Sequence, residues 1–483
     1  MDSTTKRGEA RVSARDVDWA PLTRAMDGEV IFSGDARMVL AKKHFAAGRP
    51  LALPHALVRC RGTEDVRRVL DFLVGHRLPF AVRSGGHCFA DLSSSDSVVV
   101  DLSDMRHVEP RGERVVAQPG AYASRVSQAL AAVGRAIPTG GCPLVAIGGI
   151  SLVGGFGYLG RQQGLVADQV ERLEMVAADG RLHHASRDEA PDLFWALRGA
   201  GAGGFGVVTR LTLRTVPLEA LTVCYGQWPW SEAAALLELW QEHAPDEAPD
   251  VNLELGLGLP DDDETPPFVK LFGVLLGDEA RAREALARWE ARLGRLASGL
   301  RTWRLPPAQA AEYLVGMLNH VAEPAWLPSF PYEDTGFQFT RSDFFDTRLG
   351  GAAIRDCVER LGADRRYAQA RELEFIPWGG AYARDDGSSC FQHRGSRMLI
   401  RHTVMVGTRS SEALRAHARQ WVEASRATVL PHASGRVYQG YADAGLSDWA
   451  HAYYGDRYPR LQAVKREYDP TDVFRHAQSI RLG

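Results

Sequence analysis

The sequence is poor in cysteine and has no excess of basic charge. Its 483 residues include six cysteines, and no two of them are spaced C-x-x-C. A disulfide scaffold needs denser cysteine, and a zinc site needs closely paired ligands. We therefore expect reduced thiols. Lys and Arg number 57 against 60 Asp and Glu, a formal net charge of −3. This balance argues against a nucleic-acid-binding protein.

Long apolar runs and several catalytic motifs are absent too. No run reaches the roughly 18 apolar residues that a membrane span needs, and Met1 to Asp18 has no apolar core of a secretory signal. We therefore predict a cytoplasmic protein with no membrane partner. The motifs G-x-S-x-G, H-E-x-x-H and the EF-hand loop are also missing, so we predict no metal site.

Glycine, in contrast, is abundant. It accounts for 48 residues, above an ordinary share of about 7%. The clusters are Ser84-Gly85-Gly86-His87, Thr139-Gly140-Gly141-Cys142, Ile147-Gly148-Gly149, Gly154-Gly155-Phe156-Gly157 and Gly199 to Gly206. Such loops can be tight turns, or they can bring backbone N–H groups close to an anionic ligand. Their number slightly favours a large, oxygen-rich ligand.

Two glycine stretches match G-x-G-x-x-G, but neither fits a dinucleotide fingerprint. The match that starts at Gly199 follows a helical segment and precedes a strand, which reverses the required order. The match that starts at Gly155 is followed within four residues by Gly164, which leaves no room for a helix start. Neither continues into G-K-[ST], so no P-loop is predicted.

Strand and helix patterns alternate in the first part of the chain and lengthen after Pro217. Thr63 is predicted to cap a helix whose apolar residues recur with helical spacing. The other predicted elements are strands at 80–83, 98–102, 115–117, 207–216, 251–259, 268–276 and 398–406, a hairpin at 170–185, and helices at 126–133, 231–243, 278–293 and 411–429. The mixture predicts an α+β protein.

Motifs at both ends of the chain carry a family resemblance. They are Arg83-Ser84-Gly85-Gly86-His87, Gly141-Cys142-Pro143, Gly154 to Arg161, Tyr438-x-x-Tyr441-x-Asp443 and Tyr468-Asp469-Pro470. With these the sequence resembles the berberine-bridge-enzyme-like flavoprotein oxidases of the vanillyl-alcohol-oxidase group, from about Arg49 to Gly483 and most weakly in the middle. The resemblance implies a two-lobed PCMH-type FAD-binding domain, residues 49–216 completed by 431–483. Residues 217–430 would form a substrate domain, an antiparallel sheet covered by helices.

The resemblance implies FAD held by two covalent bonds. His87 would attach to the 8α-methyl group and Cys142 to C6, because imidazole and thiolate are both good nucleophiles. Cys88 is a rival thiol, but Cys142 stands at the family position. A lone histidine is more often a packing residue, and its Ser-Gly-Gly-His context reverses that preference. Further implied FAD contacts are Arg83, Ser84, Gly85, Gly86, Cys88, Gly141, Gly148, Gly149, Val153, Gly154, Gly155, Gly157, Gly206, Val207 and Tyr441.

Tyr441 is the implied catalytic base. A tyrosine pKa of about 10 has to be lowered by a nearby cation or dipole for this role at neutral pH. Trp378, Phe89 and Arg401 replace residues that are common in relatives, so the resemblance does not imply a second catalytic tyrosine. Val153 replaces a glycine of the loop near the flavin in the family, so the resemblance does not imply ready reaction with oxygen. Tyr441 would act alone, or with Tyr438, Glu374 or Arg401.

The implied reaction removes hydride from an alcohol, hemiacetal or amine carbon of a small natural product or sugar, and O2 reoxidises the flavin to give H2O2. Two alternatives stay open, a dehydrogenase with another electron acceptor and a flavin-binding protein without catalysis. The Ala-, Arg- and Gly-rich composition suggests a bacterial tailoring enzyme of secondary-metabolite or antibiotic biosynthesis, with a polyketide, glycoside or sugar as substrate. A monomer or homodimer is expected.

Overall fold

A computed structural model describes residues 13–38, 53–202, 204–262, 264–318 and 336–483. The predicted start of the FAD-binding domain, at residue 49, lies outside these ranges. Within them, no helix is both long and apolar enough to cross a bilayer. The chain has an α+β fold, as predicted.

A four-stranded sheet and a five-stranded sheet form the first part of the molecule. The first sheet has the order β1-β2-β4-β3, with β2 and β3 parallel to β4, and the second has the antiparallel order β5-β6-β10-β8-β9. Their strands are β1 Glu29–Phe32, β2 Ala56–Arg59, β3 Phe80–Arg83, β4 Val98–Asp101, β5 Val108–Arg111, β6 Arg114–Ala117, β8 Val170–Val176, β9 Leu182–Ser186 and β10 Val207–Arg214; a separate pair joins β7 Arg135–Ala136 to β11 Val216–Pro217.

Seven α-helices whose bounds the structure describes lie among these strands, and the glycine loops connect the two kinds of element. They are α1 Ala20–Ala25, α2 Thr63–Gly75, α3 Ala123–Ala131, α4 Ile147–Leu152, α5 Gly160–Gln163, α6 Val166–Gln169 and α7 Pro191–Ala200. Helix α2 buries Val66, Val69, Leu70 and Leu73, the face that the sequence predicts. Its N-cap is Gly62 rather than Thr63, because Thr63 is already the first helical residue.

The middle of the chain forms a seven-stranded antiparallel sheet of order β15-β12-β14-β13-β17-β18-β16. Its strands are β12 Leu221–Pro229, β13 Val251–Leu259, β14 Phe268–Leu275, β15 Leu300–Leu305, β16 Phe337–Phe345, β17 Gln369–Pro377 and β18 Met398–Val406. The associated helices are α8 Ala233–His243, α9 Glu279–Leu293, α10 Pro307–Leu314, α11 Gly351–Gly362 and α12 Glu412–Val429. One sheet face is apolar and shares a core with helix residues Trp240, Trp289 and Trp421. This confirms the predicted helix-covered sheet.

The C-terminal segment packs back onto the glycine-rich part of the chain. Helices α13 Trp449–Tyr454 and α14 Tyr458–Tyr468 share a core with α7. The ammonium group of Lys465, on α14, is fully buried and donates to the carbonyl oxygens of Gly204 at 2.8 Å and Phe474 at 2.7 Å, and to the Asp469 carboxylate at 2.7 Å. These bonds hold the C-terminal segment against the last glycine loop. The predicted domain boundaries themselves stay a prediction.

Candidate active site

A cavity of about 1310 Å³ lies between the glycine loops, the C-terminal segment and the second face of the seven-stranded sheet. Most of the predicted site residues line it. These are Ser84, Gly85, Gly86, His87, Cys88, Gly141, Cys142, Gly148, Gly149, Val153, Gly157, Gly206, Val207, Glu374, Arg401, Tyr438 and Tyr441. The glycines of the Gly199 stretch line it as well, although their order excludes a dinucleotide fingerprint. The fold thus brings both motif-rich ends of the chain to one cavity.

Three residues expected to contact the cofactor do not line this cavity. Arg83 is buried and pairs with Asp101 at 2.6 Å, its register partner on β4. Gly154 and Gly155 have φ values of +107° and +75°, which favour glycine, and they turn the loop behind the cavity wall. A Cβ on Gly154 would come within 2.7 Å of the Phe391 ring. These three positions support the wall of the cavity.

His87 and Cys142 come from separate glycine loops and meet inside the cavity. The His87 Nε2 and Cys142 Sγ atoms are 3.5 Å apart, and His87 Nδ1 is 3.2 Å from the Gly85 carbonyl oxygen. A carbonyl oxygen accepts only, so Nδ1 carries the ring proton and Nε2 faces the thiol. Burial lowers the pKa of His87 to about 4, which leaves the imidazole neutral and nucleophilic at neutral pH.

Cys88 also lines the cavity, next to His87 in sequence. Burial raises the pKa of its thiol, although backbone N–H groups of the following loop oppose that effect. A raised pKa reduces the thiolate fraction and with it the reactivity. The geometry therefore pairs His87 with Cys142, and the raised pKa of Cys88 argues against that thiol as a nucleophile.

The cavity has room and unsatisfied polar atoms for the FAD that the resemblance implies. Its volume exceeds the roughly 300–1,000 Å³ of ordinary ligand pockets. A Cβ built on Gly149 would meet no atom of the described residues within 4 Å, so this backbone is open to a ligand. The buried Ser93 hydroxyl lines the cavity and has no hydrogen-bond partner among the described residues. A large polar ligand at a glycine-lined wall fits both observations.

Tyr441 lies in a turn that neighbouring side chains hold in place. Its ring makes edge contacts with Phe89, at a centroid distance of 5.3 Å, and with Tyr438, at 5.2 Å. Two residues earlier, the Gln439 side-chain oxygen accepts from His393 Nε2 at 2.9 Å, and its amide nitrogen donates to the Gly199 carbonyl oxygen at 3.0 Å. Tyr438 is turned to the wall, where its hydroxyl oxygen accepts from the Gly155 N–H at 3.1 Å. Tyr441 is therefore the better placed of the two phenols.

Arg401 provides the cation beside Tyr441. Its Nη1 lies 3.5 Å from the Tyr441 hydroxyl oxygen, and its Nη2 pairs with Glu374 at 2.6 Å. Burial nevertheless raises the pKa of Tyr441; Arg401 acts in the opposite direction, and the carboxylates of Glu374 and Glu254 add to the increase. A tyrosine that acts as a base at neutral pH needs a lowered pKa. In the protein alone, burial instead keeps the Tyr441 side chain a neutral phenol.

The charged face of the sheet includes residues that sequence reasoning missed. Glu254 on β13, Lys270 on β14 and Glu372 on β17 line the cavity together with Arg401 on β18. Lys270 lies 3.5 Å from Glu372, and Arg401 lies 3.3 Å from the same carboxylate. The signal was the alternation of polar with apolar residues along these strands.

The four departures from the family pattern occupy different places. Phe89 and Val153 line the cavity. Trp378 is fully buried and stacks on Tyr382 at a centroid distance of 4.4 Å. Arg401 is the positive centre of the charged face. Trp378 therefore belongs to the supporting core, while the other three bear on the cavity.

Comparisons with known proteins agree with this site. Residues 54–186 match the FAD binding domain family, and residues 437–481 match the family described as berberine and berberine like. The chain is a berberine-bridge-enzyme-like, FAD-linked oxidoreductase. The two matches contain His87 and Cys142 in the first and Tyr438 and Tyr441 in the second.

Relatives of this FAD-linked oxidoreductase match over nearly its whole length. The FAD-linked oxidoreductase YvdP of Bacillus subtilis is 29% identical over 94% of this chain and 98% of its own. (R)-6-hydroxynicotine oxidase of Paenarthrobacter nicotinovorans is 28% identical over 94% and 97%. The structure of glucooligosaccharide oxidase from Acremonium strictum, described with a 6-S-cysteinyl, 8α-N1-histidyl FAD, superposes with a TM-score of 0.82 at 22% identity, covering 96% and 98% of the two chains. At that identity the likeness establishes the fold.

Proposed function

We propose that this oxidoreductase is an oxidase of a small alcohol, hemiacetal or amine. In the overall reaction a substrate H–C–X–H group, where X is oxygen or nitrogen, and O2 give C=X and H2O2. The observation that carries the proposal is one cavity that contains both the His87–Cys142 pair and the row Tyr441–Arg401–Glu374. The first is suited to hold a flavin, and the second is suited to accept a substrate proton.

FAD, when bound, supplies the two-electron acceptor that oxidation of the substrate carbon requires. His87, neutral through burial, and Cys142 would tether it, while the glycine loops let the backbone approach its polar groups. The relative with a cysteinyl, histidyl FAD supports the same attachment here. Phe89, Phe156 and Tyr438 surround the Tyr441 ring and limit the access of water to it.

Tyr441 would take the proton from the substrate heteroatom. The phenolate form is needed, and the guanidinium group of Arg401 favours that form electrostatically. Glu374 holds Arg401 in position through its 2.6 Å ion pair. Tyr438 would position the glycine loop through its bond to the Gly155 N–H rather than accept a proton.

Removal of both tethers is expected to release the flavin. The His87→Ala, Cys142→Ser double variant should lose all acid-stable flavin, whereas each single variant keeps one bond and should retain yellow colour in the precipitate. Acid precipitation followed by mass analysis of the flavin-bearing peptide measures this. Cys88→Ser is the matched thiol control, and flavin bound to the Cys88 peptide would contradict the assignment of Cys142.

The electron acceptor is tested separately. Val153 lines the cavity, at a position where the family often has glycine, so access of oxygen to the flavin has to be measured in this chain. We expect anaerobic reduction by substrate to be followed by rapid reoxidation in air with equimolar peroxide. Slow reoxidation in air with fast reduction of an artificial dye would instead identify a dehydrogenase. Absence of reduction across a panel of sugars, alcohols and amines would favour a flavin-binding protein without catalysis.

A further inference from the structure

The substrate-facing side of the sheet carries an uneven set of charges. Three carboxylates, Glu254, Glu372 and Glu374, share this face with two cations, Lys270 and Arg401. Both cations are already engaged, because Arg401 contacts Glu374 and Glu372, and Lys270 contacts Glu372. Among the side chains of this face that the structure describes, the carboxylates therefore outnumber the cations by one.

The surplus falls on Glu254. This residue is only 7% exposed, and it has no hydrogen bond or ion pair with any residue in the described part of the chain. Lys270 extends towards Glu372 and not towards Glu254. A Cβ on Gly256 would lie 2.6 Å from Lys270 Cε. Because glycine has no side chain there, the lysine side chain can lie across β13 and reach Glu372. Glu254 is thus a buried carboxyl group at the cavity wall without a partner among the described side chains.

A buried carboxylate of this kind is costly until a proton or a cation compensates it. Burial, together with the Glu374 carboxylate, raises the pKa of Glu254 well above its usual range, while Arg401 and Lys270 act against that increase. The Glu372 carboxylate adds to the increase, and the phenols of Tyr441 and Tyr382 are further titratable groups near Glu254. A cationic ligand group would restore the charge balance of the face, and an anionic one would add to the repulsion.

Resting on the proposed oxidase function, we infer that the substrate carries a protonated amine and that Glu254 is the carboxylate that binds it. This narrows the substrate from alcohols, hemiacetals and amines in general to amines and amino sugars. A neutral sugar would leave the Glu254 carboxylate without an oppositely charged group. The ammonium group supplies both the charge and the hydrogen-bond donors that the buried carboxylate lacks.

The experiment compares matched ligands on the flavin-loaded protein. Benzylamine and benzyl alcohol, glucosamine and glucose, and cyclohexylamine and cyclohexanol are titrated anaerobically, and binding is followed by calorimetry and by the flavin absorbance. We expect at least one amine to bind ten-fold or more tightly than its alcohol. Glu254→Gln should abolish that preference, while Glu359→Gln, the same change on the distant helix α11, should retain it.

The pH dependence adds a second readout. Amine binding should weaken as the pH falls through the raised pKa of Glu254, and again as the pH rises through the pKa of the free amine. The proposal is overturned if no amine binds more tightly than its alcohol, or if tight amine binding survives Glu254→Gln. The titration needs no turnover. An amine preference can therefore be absent from an enzyme that passes the flavin and oxidase tests, and it can be present in a protein that fails the oxidase test.

Discussion

Tyr441→Phe is expected to lower turnover by about 10²- to 10⁴-fold, the range that a positioned acid–base group contributes. The variant keeps the ring and therefore its edge contacts with Phe89 and Tyr438. It removes only the hydroxyl group beside Arg401. Flavin content and the proposed linkages to His87 and Cys142 should be unchanged. Steady-state peroxide release and anaerobic flavin reduction measure the effect.

The pH profile distinguishes a base from a packing residue. Burial raises the pKa of Tyr441, so in the protein alone the phenolate is a minor species at neutral pH. A reaction that needs the phenolate should accelerate with rising pH, about ten-fold per pH unit below that pKa, and the Phe variant should lose this slope. Tyr367→Phe, at a residue that is 70% exposed, is the control. If the Tyr441→Phe enzyme has near-normal turnover and an unchanged slope of turnover against pH, the base is a carboxylate of the sheet and not Tyr441.

Local motifs made the flavin side of the cavity predictable. His87, Cys142 and Tyr441 stand in short glycine or tyrosine motifs whose chain neighbours fix their loops, so the family resemblance of those motifs was enough to predict that they meet, and they line one cavity. Arg83 shows the limit of that reasoning. It belongs to the same run as His87, but strand alternation turns it towards Asp101 on the adjacent strand, where the pair is buried.

The substrate side could not be predicted in the same way. The sequence predicts a strand over 251–259, yet the function of Glu254 depends on which face of the sheet meets the glycine loops. That choice follows from the pairing of β13 with β14 and β17, and their partners are distant in sequence. The alternation of polar and apolar residues along a strand distinguishes its two faces, but it does not tell which face packs in the apolar core and which face lines the cavity. The charge surplus therefore became visible only after the strands were assembled.

Arg401→Met is expected to destabilise the flavin-loaded protein by about 3–5 kcal/mol at neutral pH, the usual cost of breaking a buried ion pair by removing one partner. Arg401 pairs with both Glu372 and Glu374, and these three side chains are at most 18% exposed. Without it, the carboxylates of Glu254, Glu372 and Glu374 keep Lys270 as the cation beside them among the residues that the structure describes.

The loss of stability should depend on pH with a defined sign. In the variant Glu254 loses the Arg401 charge that opposes the burial-driven increase of its pKa, so its folded-state pKa lies further above the unfolded value of about 4.3. Below that pH both states bind the protons, so no electrostatic penalty exists. As the pH rises above it, the unfolded chain ionises first, and the folded variant loses stability until its own raised pKa values are passed. Urea unfolding across this range, with Arg401→Lys as the charge-retaining control, measures the difference. A deficit equal at every pH would assign the role of Arg401 to packing on the Tyr441 ring instead, where its guanidinium carbon lies 5.4 Å from the centroid.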